Sequence, residues 1–270
     1  MSDEPDPFEA SRAPLMDHIM ELRQRLLWCV ATLLVAFLVC FYFADQIFAL
    51  LVHPLTDAFG AGKGTLIYTK LYEAFFVQVK VALFAAFFVS FPIIANQLWV
   101  FVAPGLYANE KRAFLPFLFA TPLLFGLGAS LAYFIVMPTA FRFFLGYAGA
   151  SGGLEIEALP AIGDYLSLVM QFILAFGICF QLPVLLLLLN RAGLVSRKTL
   201  VGFRRYMVVI TFFVAAVLTP PDIVSQIMLA LPLIALFEIS LAIMWFTDRK
   251  ASKLAEEAAA SGNGDTQAAE

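Results

Sequence analysis

Residues 165–190 read YLSLVMQFILAFGICFQLPVLLLLLN, 26 residues without one Asp, Glu, Lys or Arg. A helix rises about 1.5 Å per residue, so this stretch reaches ~39 Å and exceeds the ~30 Å hydrocarbon core of a bilayer. Its apolar residues are continuous and do not alternate, whereas a barrel strand needs only about ten residues of period two. The stretch is therefore a membrane-spanning helix, and its surroundings repeat the pattern. Uncharged runs occupy 26–44, 81–109, 113–141, 206–221 and 223–247, the last broken only by Glu238. Composition agrees: 62% of the 270 residues are hydrophobic and 14% charged, against roughly 25% charged in soluble domains.

The expectation is an all-α integral membrane protein with six spans, at about 26–44, 76–103, 113–137, 164–190, 205–219 and 223–246. The fifth run is short, and Thr219-Pro220-Pro221-Asp222 leaves almost no loop before the sixth, so the pair reads equally as a short spanning hairpin or a re-entrant one. Either choice returns the chain to the same side. Pro92, Pro116, Pro122, Pro138, Pro183 and Pro232 fall in or at the ends of apolar runs. Each removes a backbone donor and tends to kink a helix, although membrane helices also tolerate proline generally. Basic residues set the orientation. With the N-terminus inside, 13 of the 17 Lys and Arg fall in cytoplasmic segments, and Lys63, Lys70, Lys80 and Arg142 fall outside. Both termini are thus expected in the cytoplasm.

Leu15, Ile19, Leu22 and Leu26 form one apolar stripe beside Asp17, Glu21, Arg23 and Arg25, as in an interfacial helix over 15–25 that leads into the first span. Glu21 and Arg25 are spaced as a favourable i, i+4 pair. Residues 1–14 and 248–270 read as disordered tails. The N-terminus has neither the build of a cleavable signal nor the Arg-rich character of a transit peptide, so a prokaryotic plasma membrane is the simplest location.

Catalysis finds little support. Cys29, Cys40 and Cys179 sit in apolar runs, and the expected spans separate His18 from His53, so no metal site or cofactor is expected. HExxH and P-loop motifs are lacking. Two carboxylates remain near the cytoplasmic face: Glu21, one turn before the first span, and Glu110 in the loop after the second. One reading makes them ion-pair partners of Arg25 and of Lys111 or Arg112; the other makes them a binding site for a cationic ligand at the lipid boundary.

Three segments carry a resemblance. They are Asp17-His18-Ile19-Met20-Glu21-Leu22-Arg23-Gln24-Arg25-Leu26, the loop Trp99-Val100-Phe101-Val102-Ala103-Pro104-Gly105-Leu106-Tyr107 ending in Glu110-Lys111-Arg112, and Leu218-Thr219-Pro220-Pro221-Asp222 with Ser225-Gln226. In order and spacing, the chain from about 14 to 247 resembles the TatC family, the multispanning receptor subunit of the twin-arginine protein translocase. The resemblance implies a six-helix, cup-shaped protein with short fifth and sixth helices. It implies binding of signal peptides bearing an Arg-Arg pair, single-span TatA and TatB partners, self-association, and export of folded proteins driven by the proton-motive force. Glu21 and Glu110 would contact the two arginines, with Arg23 and Phe101 in the same site. A carboxylate accepts two parallel bonds from a guanidinium and not from an ammonium, which favours Arg-Arg over Lys-Lys.

The same resemblance gives outer Pro54 and Asp222 a role in translocation, although capping of the sixth helix suffices to explain Asp222, and Asp164 is expected to begin the fourth span in the same manner. Family members often carry a glutamate where this chain has Gln181. A glutamine avoids the cost of a buried charge and can still dock a partner's transmembrane helix, or simply bond a neighbouring carbonyl. A secondary transporter is the alternative, and it predicts an internal repeat and midplane charges that the sequence lacks. No nucleic-acid partner is implied.

Overall fold

The computed structural model describes residues 7–60, 64–106, 111–151, 154–191, 193–219 and 222–267. The chain divides after Leu174 into two compact units. In the first, the expected interfacial segment and first span form one uninterrupted helix, α1 (Pro7–Tyr42). Nothing in the sequence breaks it between residues 15 and 42. A second helix, α2 (Ala44–Phe59), follows where no element was expected. Its buried residues, Ala44, Leu51, Pro54 and Leu55, fall on one face of a 3.6-residue period. The second span is α3 (Glu73–Leu106).

The third span runs from α4 (Lys111–Leu131) through a π-turn (Ala132–Val136) into α5 (Met137–Leu145). Pro138 supplies no N–H to the carbonyl of Phe134. The turn widens just before it, and Met137 N–H reaches back five residues to Ala132 O. A short antiparallel hairpin, β1 (Gly149–Ser151) with β2 (Leu154–Ile156), precedes the fourth span. That span is itself divided: α6 (Ile162–Cys179) ends two residues before α7 (Leu182–Arg191). Pro183 removes the donor that Cys179 O would need, and Gln181 N–H instead bonds Ile178 O at 2.9 Å. Regular α-helix is thus interrupted at Pro138 and Pro183, while Pro92, Pro122 and Pro232 lie inside continuous helices.

The second unit continues from α7 through α8 (Arg197–Gly202), α9 (Arg204–Leu218) and α10 (Ile223–Gln267). Leu200, Phe237, Leu241 and Met244 form its core. Ser196 caps α8 by accepting from Thr199 N–H at 3.2 Å. Helix α9 has 15 residues, roughly 22 Å, and is the short one. Helix α10 is not short, contrary to what the resemblance implied for the last helix: its apolar run is 25 residues, Ile223–Thr247. The helical backbone then continues to Gln267, through a stretch rich in Ala, Glu and Lys expected to be irregular; these residues favour helix.

Five of the described helical stretches are long and apolar enough to cross a membrane. Their surfaces say the same. Only 6% of the apolar window in α1 is buried, and Leu26, Trp28, Leu34, Val35 and Leu38 are exposed around the helix. A soluble helix would bury one stripe and keep the opposite face polar; this one is apolar on all sides, as lipid requires. Several hydroxyls are satisfied within the helices. Thr32, Ser130, Thr139, Thr211 and Ser240 each donate to the carbonyl four residues back, at 2.7 to 2.8 Å.

One end of the first unit is tied by polar contacts. Ile67 N–H bonds Pro160 O at 3.2 Å, and Ile162 N–H bonds Ile67 O at 2.8 Å. Beside them, Glu73 closes the ends of α3 and α6 with one carboxylate. Its Oε2 accepts from Thr69 N–H at 2.7 Å, Thr69 Oγ1 at 3.1 Å and Lys70 N–H at 3.2 Å, while Oε1 accepts from Gly163 N–H at 2.9 Å. The start of α6 is therefore capped by a residue 90 positions away, and Asp164 sits in its first turn without supplying that bond. A Cβ on Gly163 would stand 2.5 Å from Glu73 Oε1. Gly163→Ala is predicted to lower the melting temperature in detergent, and Glu73→Ala to lower it as well. In the Glu73→Ala background the added methyl has room, so Gly163→Ala should cost nothing further; additive losses would contradict the clip.

Candidate functional site

Arg25 is the centre of the polar cluster at the opposite end of the first unit. Its Nε and Nη2 donate to Glu21 Oε1 at 3.0 and 2.5 Å, and its Nη1 donates to Gln97 Oε1 at 3.2 Å. The expected i, i+4 pair is present and also joins α1 to α3. Glu21 precedes the apolar part of α1, whereas Gln97 lies near the end of α3, so the two helices run antiparallel along their shared contact. Both guanidinium bonds fall on one carboxylate oxygen. Among the described residues, nothing donates to Glu21 Oε2, and the Glu21 side chain is 38% exposed.

Phe101 follows Gln97 by one helical turn and is half-buried on the same side of α3. Arg23 is exposed, two residues from Glu21 and so turned away from it by about 200°. The structure thus brings Glu21 and the α3 segment carrying Phe101 to one rim, and leaves Arg23 on another face of α1. Glu110 lies outside the described residues. Trp99 Nε1 donates to Thr121 Oγ1 at 2.9 Å and fixes the end of α3 against α4.

Pro54 has a specific structural effect. Inside α2 it supplies no N–H to Leu50 O, and its ring crowds the neighbouring carbonyl. Tyr133 Oη fills the gap by donating to Leu50 O at 2.7 Å, and beside it Tyr165 Oη donates to Leu51 O at 2.8 Å. Pro54 therefore turns the Leu50 carbonyl into a docking point for the third span, and the next carbonyl, Leu51 O, holds the fourth. These tyrosines, like Glu73 and Gln97, were missed from sequence. The signal available was the carbonyl four residues before a helical proline, but α2 had not been expected to be a helix.

In the second unit Asp222 caps α10 as expected, its Oδ2 accepting from Ser225 N–H at 2.6 Å. Gln181 sits in the break between α6 and α7, where backbone regularity is already lost. Arg204 pairs with Glu238 at 2.7 Å, which neutralises the only acidic residue in the last apolar run.

These features define a class: a multispanning helical membrane protein whose polar side chains gather at the ends of its spans. Among the described residues no group of three or more His, Cys, Asp and Glu is placed to hold a metal. A family model for the Sec-independent protein translocase protein TatC matches residues 17–232. The TatC protein of Magnetococcus marinus is 48% identical over 249 residues, covering 92% of this chain and 90% of its own. That of Aquifex aeolicus is 37% identical and covers 89% and 98%. A crystal structure of the twin-arginine translocase receptor TatC in DDM superimposes with a TM-score of 0.74 at 38% identity, over 84% of this chain and 98% of that one. The chain belongs to the TatC family. It is a membrane subunit of the twin-arginine translocase, acting in a complex with other Tat subunits, and it is not an enzyme. The family sets aside the secondary-transporter alternative.

Tyr133→Phe leaves Leu50 O without its donor and is predicted to lower stability by about 1–2 kcal/mol in thermal unfolding. Pro54→Ala restores an N–H within α2, so Tyr133→Phe should cost much less in that background. The same cost in both would refute the coupling.

Proposed function

We propose that this chain is the receptor and core subunit of its translocase, binding Arg-Arg signal peptides at the rim that carries Glu21. The observation that supports this most is the state of Glu21. One oxygen already holds a guanidinium, so the local geometry suits that group, and the other oxygen is unengaged and accessible. A signal arginine would take Oε2, with Arg25 and Gln97 keeping the carboxylate fixed on α3. Glu110 would receive the second arginine, Phe101 would pack against the peptide's apolar side chains, and Arg23 would orient the approach from the other face of α1.

The chain sits in a prokaryotic plasma membrane with six spans, α9 being the fifth, and with both termini cytoplasmic, in line with the 13 basic residues on that side. TatA- and TatB-type single-span subunits assemble with it and with further copies of it, and export is driven by the proton-motive force. Gln181 is the docking point for a partner helix, a reading supported by its place in the break between α6 and α7, where Pro183 leaves Cys179 O without its helical donor. Pro54 and Asp222 hold the outer ends of the spans in register for that assembly.

Binding of a fluorescent signal peptide to the purified protein tests the assignment. Glu21→Ala and Glu110→Ala should each weaken binding about tenfold, and a Lys-Lys peptide should bind as weakly as the variants do. Undiminished binding in both variants, or equal binding of the two peptides, would remove this site. Gln181→Leu should abolish crosslinking of a partner helix to α6 and α7 while leaving peptide binding intact; unchanged crosslinking would refute the docking role.

A further inference from the structure

Lys80 is the one lysine inside the second apolar stretch, seven residues into α3, and its side chain is exposed. A lone cation there is costly in hydrocarbon unless its head reaches a polar group. Helix side chains tilt toward the N-terminus, which carries the Lys80 ammonium back toward the start of α3. There it joins Lys70 in the lining of a cavity of about 430 Å³, with Tyr72, Phe76, Val77 and Asp164.

The position of this cavity relative to the membrane follows from its neighbours. Tyr68, Tyr72, Phe75 and Phe76 are all more than half exposed, a cluster of aromatics of the kind found at headgroup level. Charge within the cavity is unbalanced. Glu73 also lines it, but its carboxylate is committed to four hydrogen bonds from Thr69, Lys70 and Gly163. Among the described residues, neither lysine ammonium forms an ion pair. Two unpaired ammonium groups therefore face one uncommitted carboxylate, that of Asp164, at the boundary between water and lipid.

We infer that this cavity binds the phosphodiester headgroup of a membrane phospholipid, with Lys70 and Lys80 on the phosphate and an acyl chain along Phe76 and Val77. Asp164 faces whatever the phosphate carries. It favours a headgroup with an ammonium, as in phosphatidylethanolamine, over the neutral glycerol of phosphatidylglycerol. The site lies at the end of α3 remote from Glu21 and is independent of the signal-binding assignment.

Native mass spectrometry of the purified protein, titrated in detergent with phosphatidylethanolamine, phosphatidylglycerol or uncharged diacylglycerol, tests the site. Both phospholipids should be retained, phosphatidylethanolamine more tightly, and diacylglycerol should not. Lys70→Gln and Lys80→Gln should each reduce retention about fivefold. Lys80→Arg should restore it, and the variants should keep wild-type melting temperature and helical circular dichroism. Equal retention of diacylglycerol, or a Lys70→Gln/Lys80→Gln double variant that binds phospholipid as the wild type does, would overturn the site. Preference for phosphatidylglycerol would overturn the role given to Asp164.

Discussion

In hydrocarbon no water is available to a backbone carbonyl, so every one that a helix leaves open must find a donor within the protein. The rest of this structure depends on that constraint. Proline creates the open carbonyls, and the chain answers in three ways. At Pro54 a tyrosine arrives from a distant span to bond Leu50 O, with a second on the neighbouring Leu51 O, at Pro138 the helix widens to a π-turn, and at Pro183 the fourth span stops and restarts. The first of these builds tertiary structure, since Tyr133 and Tyr165 can reach Leu50 O and Leu51 O only when the third and fourth spans lie against α2. The core that forms there, with Leu51, Leu55, Val81, Met137, Phe141 and Phe172, buries the Tyr165 bond under apolar side chains and leaves the Tyr133 bond at its edge.

The same constraint governs where function can reside. Charges are excluded from the span interiors and gather at the ends, and the two ends of the first unit differ in what they do with them. At one end Glu73 spends its carboxylate on backbone N–H groups and becomes part of the frame. At the other, Glu21 gives one oxygen to Arg25 and keeps the second accessible. A carboxylate that is saturated holds structure together, and one that is half-engaged is prepared to bind. This contrast is the physical basis for the proposal that the Glu21 rim of this TatC-family protein is the signal site.

Much of the fold was legible in the sequence, for reasons that differ by element. The long apolar runs were plain because lipid demands continuity, and a soluble helix would not stay free of charge for 26 residues. The Glu21–Arg25 pair and the Asp222 cap were legible because both are local, four and three residues apart. Helix α2 was hidden by Pro54, whose usual effect is to end a helix and which here is compensated from outside. The tyrosine and Glu73 contacts join residues 83, 114 and 90 positions apart, and no period or motif announces a bond of that range. Six prolines looked alike in the sequence, and regular α-helix is interrupted only at Pro138 and Pro183 among them.

Whether the rim carrying Glu21 reads the arginine pair is tested most directly by proximity. With Cys29, Cys40 and Cys179 replaced by alanine, a single cysteine at Phe101 provides a probe at the proposed rim, and one at the exposed Leu71 provides a control at the opposite end of α3. A signal peptide carrying a cysteine beside its Arg-Arg pair should form a disulfide with the Phe101→Cys variant, and excess unlabelled Arg-Arg peptide should suppress it where Lys-Lys peptide does not. Crosslinking to the Leu71→Cys variant instead, or crosslinking at Phe101→Cys that both competitors suppress equally, would contradict this placement of the signal site.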